Sequence, residues 1–221
     1  MTGLDEQQVG GRLAPGAGPR DGRGAEAAAL RLAGRIAADG LADVTYSTVD
    51  SPFGPLLAAS TRRGLVRLAF PEEPVDVVLE GLAHVLSPAI VQAPAPPEAL
   101  SRELDAYFSG RLREFALDLD WALATPFARR VLAAARAIPY GSVLTYERVA
   151  AEAGSPRGAR AAGNSLAANP IPIVVPCHRV LRATGALGGY AGGAERKRRL
   201  LELEGAVGPA PAGGLRAGGG G

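Results

Sequence analysis

Asn169-Pro170-Ile171-Pro172-Ile173-Val174-Val175-Pro176-Cys177-His178-Arg179-Val180 holds the only cysteine of a 221-residue chain and one of its two histidines. Pro170, Pro172 and Pro176 restrict the backbone leading up to the thiol, because each fixes φ and removes an N–H donor. The apolar run from Ile171 to Val175 surrounds the thiol with core-forming residues. A lone cysteine in such company is ordinarily a small buried hydrophobe. Here the cationic pair His178-Arg179 follows directly, and cationic neighbours lower a thiol pKa. Pro176 is placed to be the first residue of a helical turn, which would set Cys177 where the helix dipole favours negative charge. The expectation is therefore a nucleophilic thiol with His178 as its base. Adjacent residues do not face each other on a helix, so proton transfer between the two would pass through a water. A carboxylate from elsewhere must orient His178, and the local sequence leaves Glu202 and Glu204 equally placed near the end of the last helix.

One cysteine excludes an internal disulfide and a thiolate zinc cluster, and points to a reducing, cytoplasmic setting where a free thiol stays available. No run of 18 apolar residues is present, so no transmembrane helix is expected. The first 24 residues carry no apolar signal region, so secretion is not expected. The net charge of +2 hides an uneven distribution. Val44 to Leu123 has six Arg against eleven Asp or Glu, whereas Ala124 to Gly205 has eleven Arg and the chain's only Lys against five Glu. A basic half suggests a polyanionic partner. Composition bias accounts for 23 Arg against one Lys, but not for the acids avoiding that half.

Along the chain, Met1 to Gly24 is Gly/Pro-rich without a hydrophobic period and reads as disordered. Ala25 to Ala38 reads as a helix. Val44 to Val49, Leu56 to Ser60 and Leu65 to Phe70 read as a meander of strands separated by turns at Ser51-Pro52-Phe53-Gly54-Pro55 and Thr61 to Gly64. Val75 to Leu86 has helical spacing and carries His84, read as structural. A short strand at Ile90-Val91, a helix from Pro97 to Phe108 and a strand from Phe115 to Leu119 complete this half. Thr125-Pro126 caps the next helix, which Pro139-Tyr140-Gly141 breaks. Thr145 caps a short helix from Tyr146 to Ala153, Gly154 ends it, and Ser155-Pro156 caps another from Arg157 to Ala167. Two short helices joined through a glycine turn read as a helix-turn-helix. Ala159, Ala162, Gly163 and Leu166 make a stripe of mostly tiny residues on the second helix. Such a stripe packs closely against another helix or lets the axis approach a nucleic acid backbone, and Arg157 and Arg160 favour the latter. Gly185 to Gly193 is a glycine loop that lets backbone approach something closely. Ala194 to Leu203 is a last helix with a basic face from Arg196 to Arg199, and a Gly/Ala/Pro tail follows.

The cysteine stretch resembles the active-site segment of the O6-alkylguanine-DNA alkyltransferases, also called methylated-DNA–protein-cysteine methyltransferases. The resemblance extends to Ile138-Pro139-Tyr140-Gly141, Ala159-Arg160-Ala161-Ala162-Gly163-Asn164, Gly189-Tyr190-Ala191-Gly192-Gly193 and Leu200-Leu201-Glu202-Leu203-Glu204-Gly205. Ser51-Pro52-Phe53-Gly54-Pro55 and Tyr107-Phe108-Ser109-Gly110 look like the family's first domain. The resemblance implies an α+β protein: a small ribonuclease-H-like α/β domain over 44–120, then a mainly helical DNA-binding and alkyl-acceptor domain with the helix-turn-helix over 121–205. Residues 1–43 would be an extension, largely disordered with one helix, and 206–221 a disordered tail.

By resemblance, Cys177 accepts an alkyl group from O6 of guanine, His178 is its base, Glu204 pairs with that histidine and Tyr146 protonates the leaving base. Arg160 enters the duplex in place of the flipped nucleotide, with Ala159, Ala162, Gly163 and Arg157 against DNA. Asn169, Val180, Tyr190 and Ala191 surround the guanine. The implied function is single-turnover repair of double-stranded DNA containing O6-alkylguanine, by a monomer that needs no cofactor and no membrane. Some relatives carry zinc in the first domain; with one cysteine and an isolated His84, none is expected here. Leu132 stands where many relatives have Trp, and Ala191 where some have a hydroxyl. A non-reacting damage sensor of the alkyltransferase-like kind would lack the acceptor cysteine. A thiol hydrolase would leave the helix-turn-helix unexplained.

Overall fold

Strand β1 (Val44–Val49) buries residues on both faces, Val44 on one and Ser47 and Val49 on the other. It pairs antiparallel with β2 (Leu56–Thr61), which pairs antiparallel with β3 (Gly64–Ala69). These are the expected meander strands, in a computed structural model that describes residues 22–38 and 42–208. A helix α1 (Gly22–Ala38) precedes them. The sequence reading of disorder over Met1 to Gly24 and over the C-terminal tail falls almost wholly outside the described residues. After β3 comes α2 (Val75–Val85), then the short β4 (Ile90–Gln92), which returns parallel to β1 and gives a mixed sheet of order β3-β2-β1-β4.

Each face of this sheet buries a different set of residues. Val44, Leu57, Ala59, Val66 and Ala69 meet Val78 and Leu82 of α2 in a small cluster. The opposite face, with Leu56, Ala58 and Leu68, joins a large cluster that runs without a break into the C-terminal half. That cluster takes Leu100, Leu104 and Tyr107 from α3 (Glu98–Phe108) and Val131, Leu132 and Ala135 from α4 (Pro126–Arg136). It continues through Val149 and Ala150 to Ile171, Ile173, Val175 and Cys177. One core therefore supports both halves of the chain.

Phe115 to Leu119 does not form the expected strand: only Leu119 makes an isolated parallel bridge, to Leu65. Side chains satisfy this segment in place of a ladder. The Ala116 amide donates to Glu103 at 2.9 Å, and Arg136 donates to the carbonyls of Phe115 and Leu117.

The C-terminal half begins as read. Thr125 caps α4 by accepting from the Ala128 amide, and Thr145 caps α5 (Tyr146–Glu152) by accepting from that of Arg148. Thr145 also closes a two-residue strand β5 (Leu144–Thr145). Gly154 at φ 77° ends α5. The next helix, α6, spans Ala159–Ala167, two residues shorter at its start than the sequence suggested. Ser155 does not cap it; Ser155 to Gly158 close a turn through a Gly158 amide to Ser155 carbonyl bond of 2.8 Å, so Arg157 lies before the helix. The helix-turn-helix stands with a one-turn connector.

A 3₁₀ turn (Cys177–Arg179) runs into β6 (Val180–Leu181), which pairs parallel with β5, Leu144 opposite Val180 and Thr145 opposite Leu181. This ladder, invisible in the sequence pattern, sets the start of α5 beside the cysteine turn. The last helix, α7, spans Gly193–Leu203. Among the described residues no helix is long and apolar enough to cross a membrane.

Gly64 sits at φ +126°, and a Cβ there would lie 2.2 Å from the Asp118 carbonyl oxygen, which accepts from the Leu65 amide. Gly64→Ala combines a left-handed backbone with a clash against backbone, and should lower the unfolding free energy by roughly 3 kcal/mol or more in a urea titration.

Candidate active site

The turn that carries the thiol is built from a strained backbone and one amide side chain. Pro172 and Val175 bridge a tight turn whose first central residue, Ile173, has φ 74° and is 1% exposed. A β-branched residue in that region is a true outlier, held only when its surroundings over-determine it. Buried Asn169 is the restraint: its Oδ1 accepts from the Ile171 amide at 3.0 Å, and its Nδ2 donates to the Val175 carbonyl at 2.9 Å and to Cys177 Sγ at 3.1 Å. The same side chain thus shapes the turn and aims the thiol. Across the fold, the Pro170 carbonyl accepts from the Leu68 amide of β3 at 2.8 Å and from Arg67, which also pairs with Glu73.

Cys177 is 3% exposed. Burial raises its pKa to about 11, against the weaker opposing effects of the Asn169 hydrogen bond and the Lys197 charge. This overturns the expectation of a thiol activated by His178-Arg179. Pro176 caps the turn instead of opening it, and a three-residue 3₁₀ turn has little dipole to offer. Arg179 is engaged elsewhere: Nε and one terminal nitrogen grip Glu204 at 2.8 and 2.9 Å, and the other terminal nitrogen donates to the Ile138 carbonyl at 2.5 Å. His178 is fully buried, and burial lowers its pKa in spite of its carboxylate partner, so the imidazole is neutral.

The structure chooses between the two carboxylates. Glu204, just past the end of α7, has its Oε1 2.9 Å from His178 Nε2 and also accepts from Tyr107 at 2.6 Å. Burial alone would raise its pKa, but hydrogen bonds from His178 and Arg179 prevail and hold it at about 2. An ionised carboxylate can only accept, so His178 donates through Nε2 and its Nδ1 carries no proton. That Nδ1 is buried without a protein partner. The result is a neutral thiol next in sequence to a neutral imidazole whose free nitrogen is an acceptor. In the sequence Arg179 stands only as a cationic neighbour of the thiol and Tyr107 only as part of a first-domain motif; neither is marked there as a donor to Glu204, and the only signal is that a buried carboxylate needs donors to stay charged.

Other expected residues gather around this centre. Tyr146, first residue of α5, packs against the core cluster containing Cys177, and its hydroxyl reaches the Gly189 carbonyl at 3.4 Å. Side chains press on the glycine loop at two positions: a Cβ at Gly188 would lie 2.6 Å from the Tyr146 hydroxyl, and one at Gly192 2.7 Å from Phe70. Tyr190 stacks edge-on against Phe70 and His178, with ring centroids 6.1 and 6.3 Å away, and its buried hydroxyl has no partner. Val180 is buried and Ala191 is exposed, facing a groove shared with Asn169 and Pro170.

The expected DNA-facing residues separate. Ala159, Arg160 and Gly163 line one open groove of about 780 Å³ with Tyr146, Arg182 and Gly189. Ala162 does not belong there: it is 0% exposed and packs in the core, on the same side as Leu166. Arg157 is exposed in the turn before α6, outside that groove. The tiny stripe therefore serves both alternatives, with Ala162 inward and Gly163 on the groove.

A β-meander with a returning parallel strand, a helix-turn-helix and a buried Cys-His-Glu array define the class of a cysteine-dependent protein with a nucleic-acid-binding motif. Family comparisons place it more narrowly. The model described as 6-O-methylguanine DNA methyltransferase, ribonuclease-like domain, matches residues 44–121, and the DNA binding domain of the same name matches 126–206. The methylated-DNA–protein-cysteine methyltransferase of Mycobacterium tuberculosis is 41% identical over 170 residues, covering 76% of this chain and 96% of its own. That of Methanosarcina barkeri is 41% identical over 161 residues, covering 72% and 96%. The crystal structure of M. tuberculosis OGT in complex with DNA superposes with a TM-score of 0.63 at 40% identity, over 73% of this chain and 93% of that one. The chain belongs to the 6-O-methylguanine DNA methyltransferase family.

Glu204 should dominate the acid limb of stability. Its folded pKa of about 2 lies below the ordinary 4.5, so its contribution is fully present above pH 4.5 and is lost as pH falls towards 2. The difference is on the order of 3 kcal/mol. Glu204→Gln should be less stable at neutral pH, with Arg179 left unpaired, and should show a flatter dependence across that window in denaturant titrations.

Proposed function

We propose that this protein repairs DNA directly, moving a methyl or other alkyl group from O6 of guanine to Cys177 Sγ. The observation that carries the reading is the unpaired Nδ1 of a neutral, Glu204-oriented His178 beside a buried, protonated Cys177. A thiol held neutral by burial does not react with passing electrophiles. It needs a base at the moment of reaction, and His178 supplies one. The thiol proton passes to Nδ1 through a water, and the imidazolium so formed is stabilised by the Glu204 carboxylate. Sulfur attacks the alkyl carbon, the C–O6 bond breaks, and the guanine takes up a proton at N3 from Tyr146. The tyrosine recovers a proton from the His178 network, so thiol plus alkylguanine becomes thioether plus guanine with protons balanced. The thioether has no second nucleophile to clear it, and each molecule acts once.

The substrate atom lies inside a duplex and must be flipped out, at a cost of roughly a few kcal/mol. Arg160, exposed at the start of α6 and on the same groove as Tyr146, fills the gap left in the stack; a flat, long cation suits that task. Ala159 and Gly163 let the helix come close to the backbone of double-stranded DNA. The relative solved with DNA supports the same partner. Asn169 holds the link between α6 and the reactive turn, and Tyr190, Val180 and the Ala191 backbone surround the guanine. The domain division at 120/121, a monomeric state and a cytoplasmic setting, where the acceptor stays reduced, complete the proposal.

Incubation with duplex DNA containing O6-methylguanine should add one methyl group to the peptide containing Cys177 by mass spectrometry, and nothing to Cys177→Ala. Tight binding without a mass change would replace this reading with a damage sensor. Arg160→Ala should slow repair of duplex by on the order of 10-fold or more while sparing reaction with the free modified base; equal losses on both would remove Arg160 from flipping.

A further inference from the structure

The chain has 23 arginines and a single lysine, and that lysine does not lie on the surface. The reading of α7 as carrying a basic face from Arg196 to Arg199 holds for its neighbours, but Lys197 points the other way and is 0% exposed. Its Nζ donates to the Val180 carbonyl at 2.5 Å and to the Gly189 carbonyl at 3.3 Å. Val180 directly follows the Cys177–Arg179 turn, and Gly189 directly precedes Tyr190. The ammonium therefore joins the reactive turn to the glycine loop. It lies 5.8 Å from the Tyr146 ring centroid, and Tyr146 shares the Gly189 carbonyl with it. A buried charge satisfied by two neutral carbonyls and no carboxylate is an expensive arrangement.

We propose that Lys197 is a positioning residue for the reaction, holding the two walls of the alkylguanine pocket together and presenting a positive charge to Cys177 as the thiol loses its proton. The inference rests on Cys177 being the alkyl acceptor. Its physical basis is that Cys177 is buried, so negative charge developing on sulfur needs a compensating charge inside the protein. Arg179 cannot supply it, because Glu204 already neutralises that guanidinium. The titratable groups around Lys197 are Cys177 and His178 on the 3₁₀ turn, Tyr146 on α5 and Tyr190 on the loop, with Glu204 and Arg179 paired behind His178. None of these is a carboxylate facing the ammonium directly. Burial accordingly brings the lysine down to about 8, with Cys177 acting weakly in the other direction. An arginine would stay charged through this range but would need space and acceptors for a planar fork, which two converging carbonyls do not offer.

The linkage has a definite sign. The charge is present below about pH 8 and disappears above it, so alkyl transfer should slow as pH rises through that point although thiolate formation becomes easier. Lysine labelled with carbon-13 at the ε position gives one resonance in the full-length protein, because there is one lysine. That resonance should titrate near pH 8; a midpoint at the ordinary value of ~10.4 overturns the proposal. This titration needs no alkylated DNA, so its failure is distinct from a failure of Cys177 to take an alkyl group.

Single-turnover rates on O6-methylguanine duplex at saturating protein should fall on the order of 10-fold between about pH 7 and pH 9.5. Lys197→Met should react on the order of 10-fold more slowly at pH 7, with an unchanged half-saturating concentration and no such fall. Lys197→Gln keeps a donor for the carbonyls but no charge, and should resemble Lys197→Met in its pH profile. Wild-type rate constants in both variants, or a falling limb that persists in either, overturn the proposal. If neither variant folds by thermal denaturation, a wild-type rate that stays level across the same pH range overturns it equally.

Discussion

Everything chemical in this protein depends on one buried carboxylate. Glu204 accepts hydrogen bonds from Tyr107, His178 and Arg179 and lies 5% exposed. Its three donors come from two segments far apart in sequence: Tyr107 on α3, and the adjacent His178 and Arg179 on the 3₁₀ turn. A buried anion with one donor removed would be strongly destabilising. The same bonds therefore hold the N-terminal half to the C-terminal half and set the state of His178. Because Glu204 stays ionised, Nε2 must carry the imidazole proton, and the other ring nitrogen is left as an acceptor.

The second constraint lies in the backbone before the thiol. Pro170, Pro172 and Pro176 remove donors and fix φ, but they do not by themselves produce the turn. Ile173 adopts a positive φ because Asn169 holds both ends of the loop and the thiol together. Strain of this kind persists only where neighbours over-determine it, and here those neighbours include β3, whose Leu68 amide meets the Pro170 carbonyl. The N-terminal sheet thus has a direct mechanical part in placing Cys177, although it contributes no reacting atom.

Burial shifts two groups of the site in opposite directions. It raises the Cys177 thiol to about 11 and lowers Lys197 to about 8, disfavouring charge on both. Glu204 escapes the same penalty only through its donors. At rest the site holds a neutral thiol, a neutral imidazole, a neutralised Arg179–Glu204 pair and, below about pH 8, the ammonium of Lys197. Negative charge appears on sulfur only when the thiol proton moves, which suits an alkyl acceptor that must not be spent on other electrophiles.

Much of this was legible in the residues alone. Strand-forming residues between turn residues marked the meander, threonine and glycine marked the limits of α4 and α5, and the singular Cys177 in its proline frame marked the reactive segment. Those are local signals, set by φ preferences, capping bonds and periodicity. The errors were also local rules meeting tertiary competition. Phe115 to Leu119 had strand-like residues but found its partners in Glu103 and Arg136, and Arg157 fell outside α6 because Ser155 closed a turn instead of capping a helix. Ala162 looked like part of a DNA-facing stripe and is core. Sequence determined which residues were available for chemistry; only the folded chain decided which carboxylate faces His178, that Arg179 turns away from the thiol, and that the single lysine is turned inward. Those choices depend on charges and hydrogen bonds between segments tens of residues apart, and their sign is decided by how far each group is removed from water, a quantity no stretch of sequence carries by itself.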